Sequence, residues 1–359
     1  MTHVMLPWEL VEEILYRVPP LSLIRFRTVC KQWNAFYNEK TIMNKKLAFI
    51  CPQFLLWTNS KIYSLGINFN NDPKIEMREL LLDIPFSKDH LTTHFLPCDG
   101  LLFRNSWLWE RAVAVWSFGT RGYDSGRPEK GHKIYGFSIC ERNVNEPTTS
   151  QLYRKFAIYE FQTNASKYIK ADPEEENTTW ETSLYNNVSL NGNMYWPTYS
   201  LETGEYLIKS FDFSKEIFKI YCVLPWKIDS SNYPILSVFS GVRLSVLHTF
   251  IKPYDIEIWV TKNKINEDVE NVVWMKFMTV SRPITKDYYP SYFIDNVYGK
   301  RLVMCCGDEN GKACIYILRG DTSKKIQIGF DSNHRSHCVY GPNIGPIPSE
   351  SSDQATKKN

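Results

Sequence analysis

The sequence predicts an α+β multidomain protein, in which a small three-helix unit precedes a mainly-β, kelch-like propeller domain. Two observations lead to this prediction. Apolar residues recur with helical spacing only up to about residue 47, and beyond that point they follow the two-residue period of strands. Glycine-centred turns also recur at Gly192, Gly241 and Gly299, at intervals of 49 and 58 residues, which is the range of four-stranded propeller blades. A large β-sandwich is the second choice, because it also repeats strand pairs at such intervals.

The composition is that of a globular protein with room for more than one domain. The chain has 359 residues, of which 43% are hydrophobic, 14% aromatic and 23% charged. We predict one domain over residues 1–47, a second over 48–345 and a disordered tail over 346–359. The tail prediction rests on residues 349–359, which contain no apolar residue except Ala355 and so cannot offset the entropy lost on ordering.

The first predicted helix begins near Pro7, and its apolar side chains form one stripe. Leu10, Val11, Ile14, Leu15 and Val18 make that stripe, and Pro19-Pro20 ends the helix. Two further short helices follow before residue 40. A unit of this size buries little apolar surface, so its surplus of large side chains predicts an interface with another protein. The alternative is that this unit docks on the second domain of the same chain.

The stretch LPWELVEEILYRVPPLSLIRFRTVCKQWNAFYN resembles an F-box over about residues 5 to 47. The resemblance implies a Skp-type adaptor as partner and, through it, the cullin scaffold of a ubiquitin ligase. It assigns nine residues to the adaptor interface or to the framework of the F-box. These residues are Leu6, Pro7, Ile14, Leu15, Pro19, Leu23, Val29, Cys30 and Trp33. Which of them face the adaptor and which hold the helices together stays open.

The remainder of the chain is predicted to form strands joined by polar turns. Stretches such as KFAIYEF, IEIWV and CIYIL are rich in β-branched and aromatic residues. A glycine turn leads into a strand in LNGNMYWPT, SGVRLSVLH and YGKRLVMCC, and a second hairpin follows in FDFSKEIFKI, with Asp212, Ser214 and Lys215 in its turn. YILRGDTSKKIQI repeats the second hairpin. Each predicted blade therefore has two hairpins.

This region is similar to the plant F-box-associated interaction domain from about residue 95 to 330. VSLNGNMYWPT, LIKSFDFSKEIFKIYCVLP, RLSVLHTF, IEIWVTKNK and VVWMKFMTV occur in the order of that domain. Two departures stand out. After Trp116 part of one hairpin is missing or recast, and the C-terminal HCVYGPNIGPIP differs from the usual strand-like ending, which leaves the closure of the ring undecided. Either departure would leave an exposed strand edge.

The distribution of charged and apolar residues along the chain indicates which partners and which cellular compartment to expect. Lys and Arg number 42 against 39 Asp and Glu, and residues 1–47 alone hold the whole excess of +3. A nucleic-acid-binding domain normally shows a basic face, so we expect no nucleic-acid partner. No run approaches 18 apolar residues and the N-terminus lacks a signal-peptide pattern, so we expect no membrane association and a location in the cytoplasm, the nucleus or both.

The residues offer little chemistry. The sequence contains no P-loop, no H-E-x-x-H or G-x-S-x-G motif and no glycine-rich dinucleotide-binding turn. We therefore expect no catalytic residue, no metal and no cofactor. One group of metal-ligating residue types comprises Cys305, Cys306, Cys314, His334, His337 and Cys338. It lacks C-x-x-C spacing, and we interpret it as buried strand cysteines followed by a solvent-facing tail.

We therefore expect a non-enzymatic adaptor whose β domain holds an unknown protein target for ubiquitination. The residues that bind the target are unknown. Segments 118–132 and 171–183 are candidate target loops, and Trp107 and Trp109 mark either a recognition surface or packing between blades. Two other classes stay open: an F-box protein that acts outside a ligase or is a drifted copy without a target, and a propeller that binds a small ligand or acts as an enzyme.

Overall fold

A computed structural model describes the β-rich part of the chain. The described residues are 52–58, 61–69, 72–80, 93–98, 101–106, 115–123, 132–142, 151–160, 162–169, 186–200, 202–227, 234–250, 255–265, 272–285, 290–296, 299–331 and 337–340. Residues 1–51, which include the predicted three-helix unit, lie outside them, as does the predicted tail over 346–359.

The predicted α+β class is wrong for the described structure, which is all-β and contains no helix among the described residues. The helical spacing that suggested α structure is confined to residues 1–47, outside the described residues. Beyond them the two-residue period and the β-branched and aromatic residues favour strands throughout. The propeller prediction is confirmed, and the β-sandwich is excluded because the sheets are separate four-stranded blades.

The described part of the chain forms 22 strands. The first eleven are β1 Gln53–Trp57, β2 Ile62–Asn68, β3 Lys74–Leu80, β4 Thr93–Cys98, β5 Leu101–Ser106, β6 Val115–Tyr123, β7 His132–Arg142, β8 Gln151–Glu160, β9 Ala165–Ile169, β10 Val188–Leu190 and β11 Asn193–Tyr199. The others are β12 Glu205–Asp212, β13 Ile217–Lys227, β14 Ile235–Phe239, β15 Arg243–Thr249, β16 Asp255–Thr261, β17 Trp274–Ser281, β18 Ser291–Asp295, β19 Arg301–Gly307, β20 Lys312–Arg319, β21 Thr322–Asp331 and β22 His337–Tyr340.

These strands form five four-stranded antiparallel blades and one two-stranded sheet. The blades have the strand orders β22-β1-β2-β3, β6-β7-β8-β9, β10-β11-β12-β13, β14-β15-β16-β17 and β18-β19-β20-β21. The first strands contact one another around a ring: β10 contacts β14, β14 contacts β18, β18 contacts β22, and β22 contacts β4 of the two-stranded sheet. β4 in turn contacts β6 and β10. The described strands thus surround one axis.

The glycine turns that predicted the repeat join the first two strands of successive blades. Asn191-Gly192 connects β10 to β11 with φ angles of 54° and 79°, and this left-handed pair suits the twist of a tight hairpin. Gly241 and Gly299 occupy the same place in the next two blades, with φ angles of 69° and 110°. The predicted blade period therefore corresponds to a real structural repeat.

The C-terminal strand β22 closes the ring. It pairs antiparallel with β1, with Phe54 opposite Val339 and Leu56 opposite His337. The same blade therefore contains the first and the last described strands. The undecided closure is resolved by this pairing, and the interpretation of His337 and Cys338 as part of a solvent-facing tail is wrong. His337 is buried because its strand faces β18 inside the ring.

The two-stranded sheet precedes the segment after Trp116 in which the sequence departs from the family pattern. β4 and β5 pair with each other over their full length, from Thr93 opposite Ser106 to Cys98 opposite Leu101. Within the described residues no further strand joins this sheet. The hairpin predicted to be missing or recast after Trp116 is present: Trp116 lies in β6, which pairs with β7 in a complete four-stranded blade.

The described core lies between neighbouring blades. Four clusters of buried side chains fill the gaps, and each draws from two adjacent sheets. Ile208 and Val246 meet in one gap, Ile258 and Tyr316 in the next. In the gap beside the closing blade, the rings of Phe54 and Phe293 lie 5.2 Å apart. Each blade is thus stabilised mainly by the blades beside it.

Polar clamps supplement this packing near the axis. The amide of Asn186, just before β10, accepts a hydrogen bond from the Leu236 N–H at 2.7 Å and donates one to the carbonyl of Pro234 in the next blade. Tyr292 donates to the Ile235 carbonyl at 3.2 Å, which joins β18 to β14. Ser291 Oγ lies 2.8 Å from Nδ1 of His337, which joins β18 to β22. The innermost strand of each blade has a neighbouring strand on one side only. These side chains bond to backbone N–H and C=O groups on its other side.

Substituting Asn186→Ala should destabilise the propeller by about 1–3 kcal/mol, because a buried N–H and a buried carbonyl lose their partner. Asn263→Ala is the matched control, since Asn263 is exposed in the turn after β16. Urea unfolding of both variants measures the difference. Equal stability of the two variants would show that the clamp contributes nothing.

Candidate target-binding surface

The nine residues assigned to the adaptor interface all lie outside the described residues. They are Leu6, Pro7, Ile14, Leu15, Pro19, Leu23, Val29, Cys30 and Trp33. Trp107, Trp109 and the candidate loop 171–183 also lie outside them. The other candidate loop, 118–132, is partly strand: β6 extends to Tyr123 and β7 begins at His132, so only residues 124–131 stay outside the described structure.

Strand direction assigns the described turns to two ends of the propeller. The turns between the first and second strands of each blade lie at one end, which we call the first-turn end. Because the strands are antiparallel, the turns between third and fourth strands lie at that end too. The turns between second and third strands, such as Asp308–Gly311, lie at the opposite end.

Two cations at the first-turn end are held over aromatic rings. The guanidinium carbon of Arg243, at the start of β15, lies 4.7 Å from the centre of the Phe239 ring. Lys300, in the turn before β19, places Nζ 4.3 Å from the centre of the Phe277 ring. The centres of the two rings are 5.0 Å apart. Adjacent blades thus each place one positive charge against the same aromatic pair.

An ion-pair network joins two other blades at the same end. Nζ of Lys133 lies 2.6 Å from Glu216 Oε1 and 3.2 Å from Glu160 Oε1. Nζ of Lys167 lies 2.7 Å from Glu216 Oε1 and 3.3 Å from Glu160 Oε1. Hydrogen bonds from the two lysines lower the pKa of Glu160 although burial opposes this. Since each charge has two opposite neighbours, this region is balanced and leaves no net charge for a ligand.

A buried carboxylate organises the opposite end of the blade formed by β18 to β21. Asp308 Oδ1 accepts hydrogen bonds from the backbone N–H of Asn310 at 3.0 Å and of Lys312 at 2.9 Å, and Lys325 Nζ lies 2.7 Å from Oδ2. The hydrogen bond from Lys325 is the main cause that lowers the pKa of Asp308 to about 2, and the bonded backbone amides add to it. This geometry fixes a turn and leaves the carboxylate without a free oxygen for catalysis.

The strand cysteines Cys305, Cys306 and Cys314 are buried. Cys305, Cys306 and Cys314 have no exposed surface, as predicted, and Cys305 faces a different inter-blade gap from the other two. Burial raises the pKa of Cys314 to about 11 and that of Cys222 to about 12, so neither thiol is a nucleophile at neutral pH. Across the described ranges no group of three His, Cys, Asp or Glu side chains could hold a metal ion, and His334 lies outside them.

The described part of the chain also contains no helix that is long and apolar enough to cross a membrane.

Family comparison matches both parts of the chain. Residues 53–121 and 116–347 match the F-box associated beta propeller domain, and residues 4–36 match the F-box domain. The chain belongs to the F-box proteins with an F-box-associated β-propeller domain. Both resemblances predicted from the sequence are confirmed. Family evidence points to F-box substrate adaptors, which are not enzymes themselves.

Relatives from Arabidopsis thaliana share this organisation along their whole length. The chain is 57% identical to the putative F-box protein At1g12190, with 99% of each chain covered. It is 51% identical to the putative F-box/kelch-repeat protein At1g12170, over 97% of this chain and all of that one. It is 41% identical to the protein SUPPRESSOR OF NIM1 1, over 96% of this chain and 98% of that one.

Sequence reasoning missed the cations at the first-turn end. The net charge beyond residue 47 is zero, and this balance conceals a local excess. A signal was present in the two quoted repeats: Arg243 follows the glycine turn in SGVR, and Lys300 follows directly in YGKR. Basic residues within two positions of the glycine turns of neighbouring blades predict a shared basic patch once the blades are placed side by side.

The pKa of Asp308 generates a prediction about acid stability. A carboxylate whose pKa is lowered on folding stabilises the protein above its unfolded pKa of about 3.9, and that contribution is lost as the pH falls toward 2. Asp308→Asn should therefore lower the melting temperature at neutral pH, and the gap to the unchanged protein should shrink between about pH 4 and pH 2.

The matched control is Asp321→Asn, which removes an exposed carboxylate that accepts one hydrogen bond from Ser281. It should change the melting temperature little at any pH. The difference in melting temperature between Asp308→Asn and the unchanged protein could instead stay constant down to acid pH. That result would contradict the prediction, because it would assign the effect to packing and not to the ion pair.

Proposed function

We propose that this chain is the substrate-recognition subunit of a Skp-cullin-F-box ubiquitin ligase. The F-box would bind a Skp-type adaptor, and through it the cullin, while the propeller would hold a protein target. The observation that carries the proposal is the pairing of the two family matches on one chain, with the F-box at residues 4–36 and the propeller at 53–347. F-box domains generally bind Skp-type adaptors.

The proposed mechanism requires no catalytic group in this chain. Holding a target beside a loaded conjugating enzyme raises the effective concentration of its lysines, and orientation adds to the rate. The described propeller suits this role, because its five blades pack against one another and fix the positions of the turns. Turns on such a rigid β scaffold are the usual place for recognition.

The F-box part of the proposal predicts the effect of a double substitution. Pro7→Ala with Leu15→Ala should reduce co-purification of the adaptor at least about tenfold, because truncating a desolvated apolar anchor costs about 2–4 kcal/mol. The matched control is Pro283→Ala with Ile284→Ala, which removes the same kinds of side chain from the propeller surface, where Ile284 is 79% exposed. Adaptor binding that survives the F-box double substitution would contradict the proposal.

One observation supports an alternative, an F-box protein that acts outside a ligase or has lost its target. The sheet formed by β4 and β5 has two strands where its neighbours have four, so one blade of the recognition domain is reduced within the described residues. Co-purification separates the two functions: a ligase subunit brings down both adaptor and cullin, whereas the alternative protein brings down the adaptor without the cullin.

A further inference from the structure

Four basic side chains make up a patch at the first-turn end of the blades β14 to β17 and β18 to β21. We call this patch the basic rim, and it consists of Arg243, Lys264, Lys300 and Arg319. Arg243 is half-buried, and the other three are exposed. All four lie in or beside turns, so the rim crosses the boundary between two neighbouring blades.

The contacts along the rim are well defined. Arg243 lies over Phe239 and Lys300 over Phe277, and these two rings touch. Arg319 lies beside the turn that contains Lys300, since its Nη1 is 3.9 Å from the position that a Cβ on Gly299 would take. At the other side, the N–H of Ile265 donates to the Val242 carbonyl at 3.0 Å, which places Lys264 next to Arg243 in the fold.

The rim differs from several other cationic side chains of the propeller, which pair with carboxylates. Lys133 and Lys167 share two glutamates, Lys325 pairs with Asp308, and Arg301 pairs with Asp295 at 3.0 Å. Among the described residues none of the four rim cations forms an ion pair. The one carboxylate beside Arg319 in sequence is Asp321, which accepts a hydrogen bond from Ser281 Oγ at 3.2 Å.

Positive charges gathered at one end of two adjacent blades, with no ion pair among the described residues, repel one another, and an anion that binds among them relieves the repulsion. Burial also lowers the pKa of Arg243, because its guanidinium has given up water without gaining a carboxylate. The aromatic rings hold Arg243 and Lys300 in place, so little side-chain entropy remains to be lost when a ligand binds. The rim is therefore prepared for an anionic partner.

The same contacts favour an acidic peptide over a nucleic acid. Single-stranded nucleic acids bind where open aromatic faces stack on bases, whereas the faces of Phe239 and Phe277 are covered by the two cations. Duplex DNA needs a longer basic stripe than two blade turns provide, and the chain beyond residue 47 has no net positive charge. A short stretch of carboxylates matches both the size and the charge of the rim.

We propose that the basic rim binds an acidic segment of the target protein, a short extended stretch with clustered Asp and Glu side chains. The inference rests on the proposed function, because it assigns to the propeller the target that the F-box protein would present. It goes further by naming the chemistry of that target and the end of the propeller where it binds.

The experiment is direct binding to the purified full-length chain. The probes are a fluorescent peptide rich in Asp and Glu, a peptide of equal length with Asn and Gln in their place, and a single-stranded DNA oligonucleotide of equal charge. Fluorescence anisotropy should show binding of the acidic peptide that weakens as salt rises from about 0.1 M to about 1 M, and no binding of the neutral peptide.

Substituting Arg243→Gln, Lys300→Gln and Arg319→Gln together should weaken binding of the acidic peptide about tenfold, since three partly exposed ion pairs are lost. The control is Lys61→Gln, Lys167→Gln and Lys276→Gln, which makes the same change in net charge at lysines that already pair with carboxylates. This control should leave the affinity unchanged. Arg319→Glu alone, at an exposed position, keeps the test open if the triple variant fails to fold.

Three results would overturn the inference: no binding of the acidic peptide, equal weakening by the control substitutions, or tighter binding of the DNA than of the peptide. Adaptor binding is measured separately on the same protein. If the adaptor is retained and the acidic peptide is not bound, the inference fails while the proposed function stands. If the peptide binds at the rim and the adaptor is not retained, the proposed function fails and the rim remains an acidic-peptide site.

Discussion

The antiparallel pairing of β22 with β1 joins the two ends of the described chain, and the position of the other blades depends on it. Without this pairing, β1 would present an open edge to the interior of the ring, and β18 would lose the strand against which it packs. Ser291 of β18 and His337 of β22 reinforce the junction with a partly buried hydrogen bond. Most strand pairs in the propeller join strands that are neighbours in the sequence. The pairing of β22 with β1 joins strands that are far apart in the sequence, and this one contact holds the hairpins together in a ring.

Rigidity of the turns follows from this closure and from the way the core is divided. The buried clusters lie between blades, so a blade cannot shift without disturbing both of its neighbours. Asn186 and Tyr292 add hydrogen bonds across the same gaps. The turns at the first-turn end are thus held at fixed distances, which is how side chains from two blades, Arg243 and Lys300, come to share one aromatic pair.

Much of the propeller could be predicted from the sequence, because each blade is local. The glycine turns at Gly192, Gly241 and Gly299 need left-handed backbone angles, and their spacing gave the blade period correctly. Features that depend on distant contacts could not be predicted this way. The tetrapeptide HCVY has no strand pattern of its own and becomes a strand only because β1 and β18 surround it, and the charge of the basic rim emerges only when two blades stand side by side. The adaptor interface was predicted by resemblance alone and lies outside the described residues.

Comparing the unfolding of the full chain with two C-terminal truncations tests the role of ring closure most directly. The account predicts that a chain ending at residue 348 unfolds like the full chain, since it keeps β22 and loses only residues whose one apolar side chain is that of Ala355. A chain that ends at residue 336 lacks β22 and should melt at a much lower temperature, over a broad transition that is no longer cooperative. Cooperative unfolding of that shorter chain at the temperature of the full one would contradict the central claim that β22 holds the ring together.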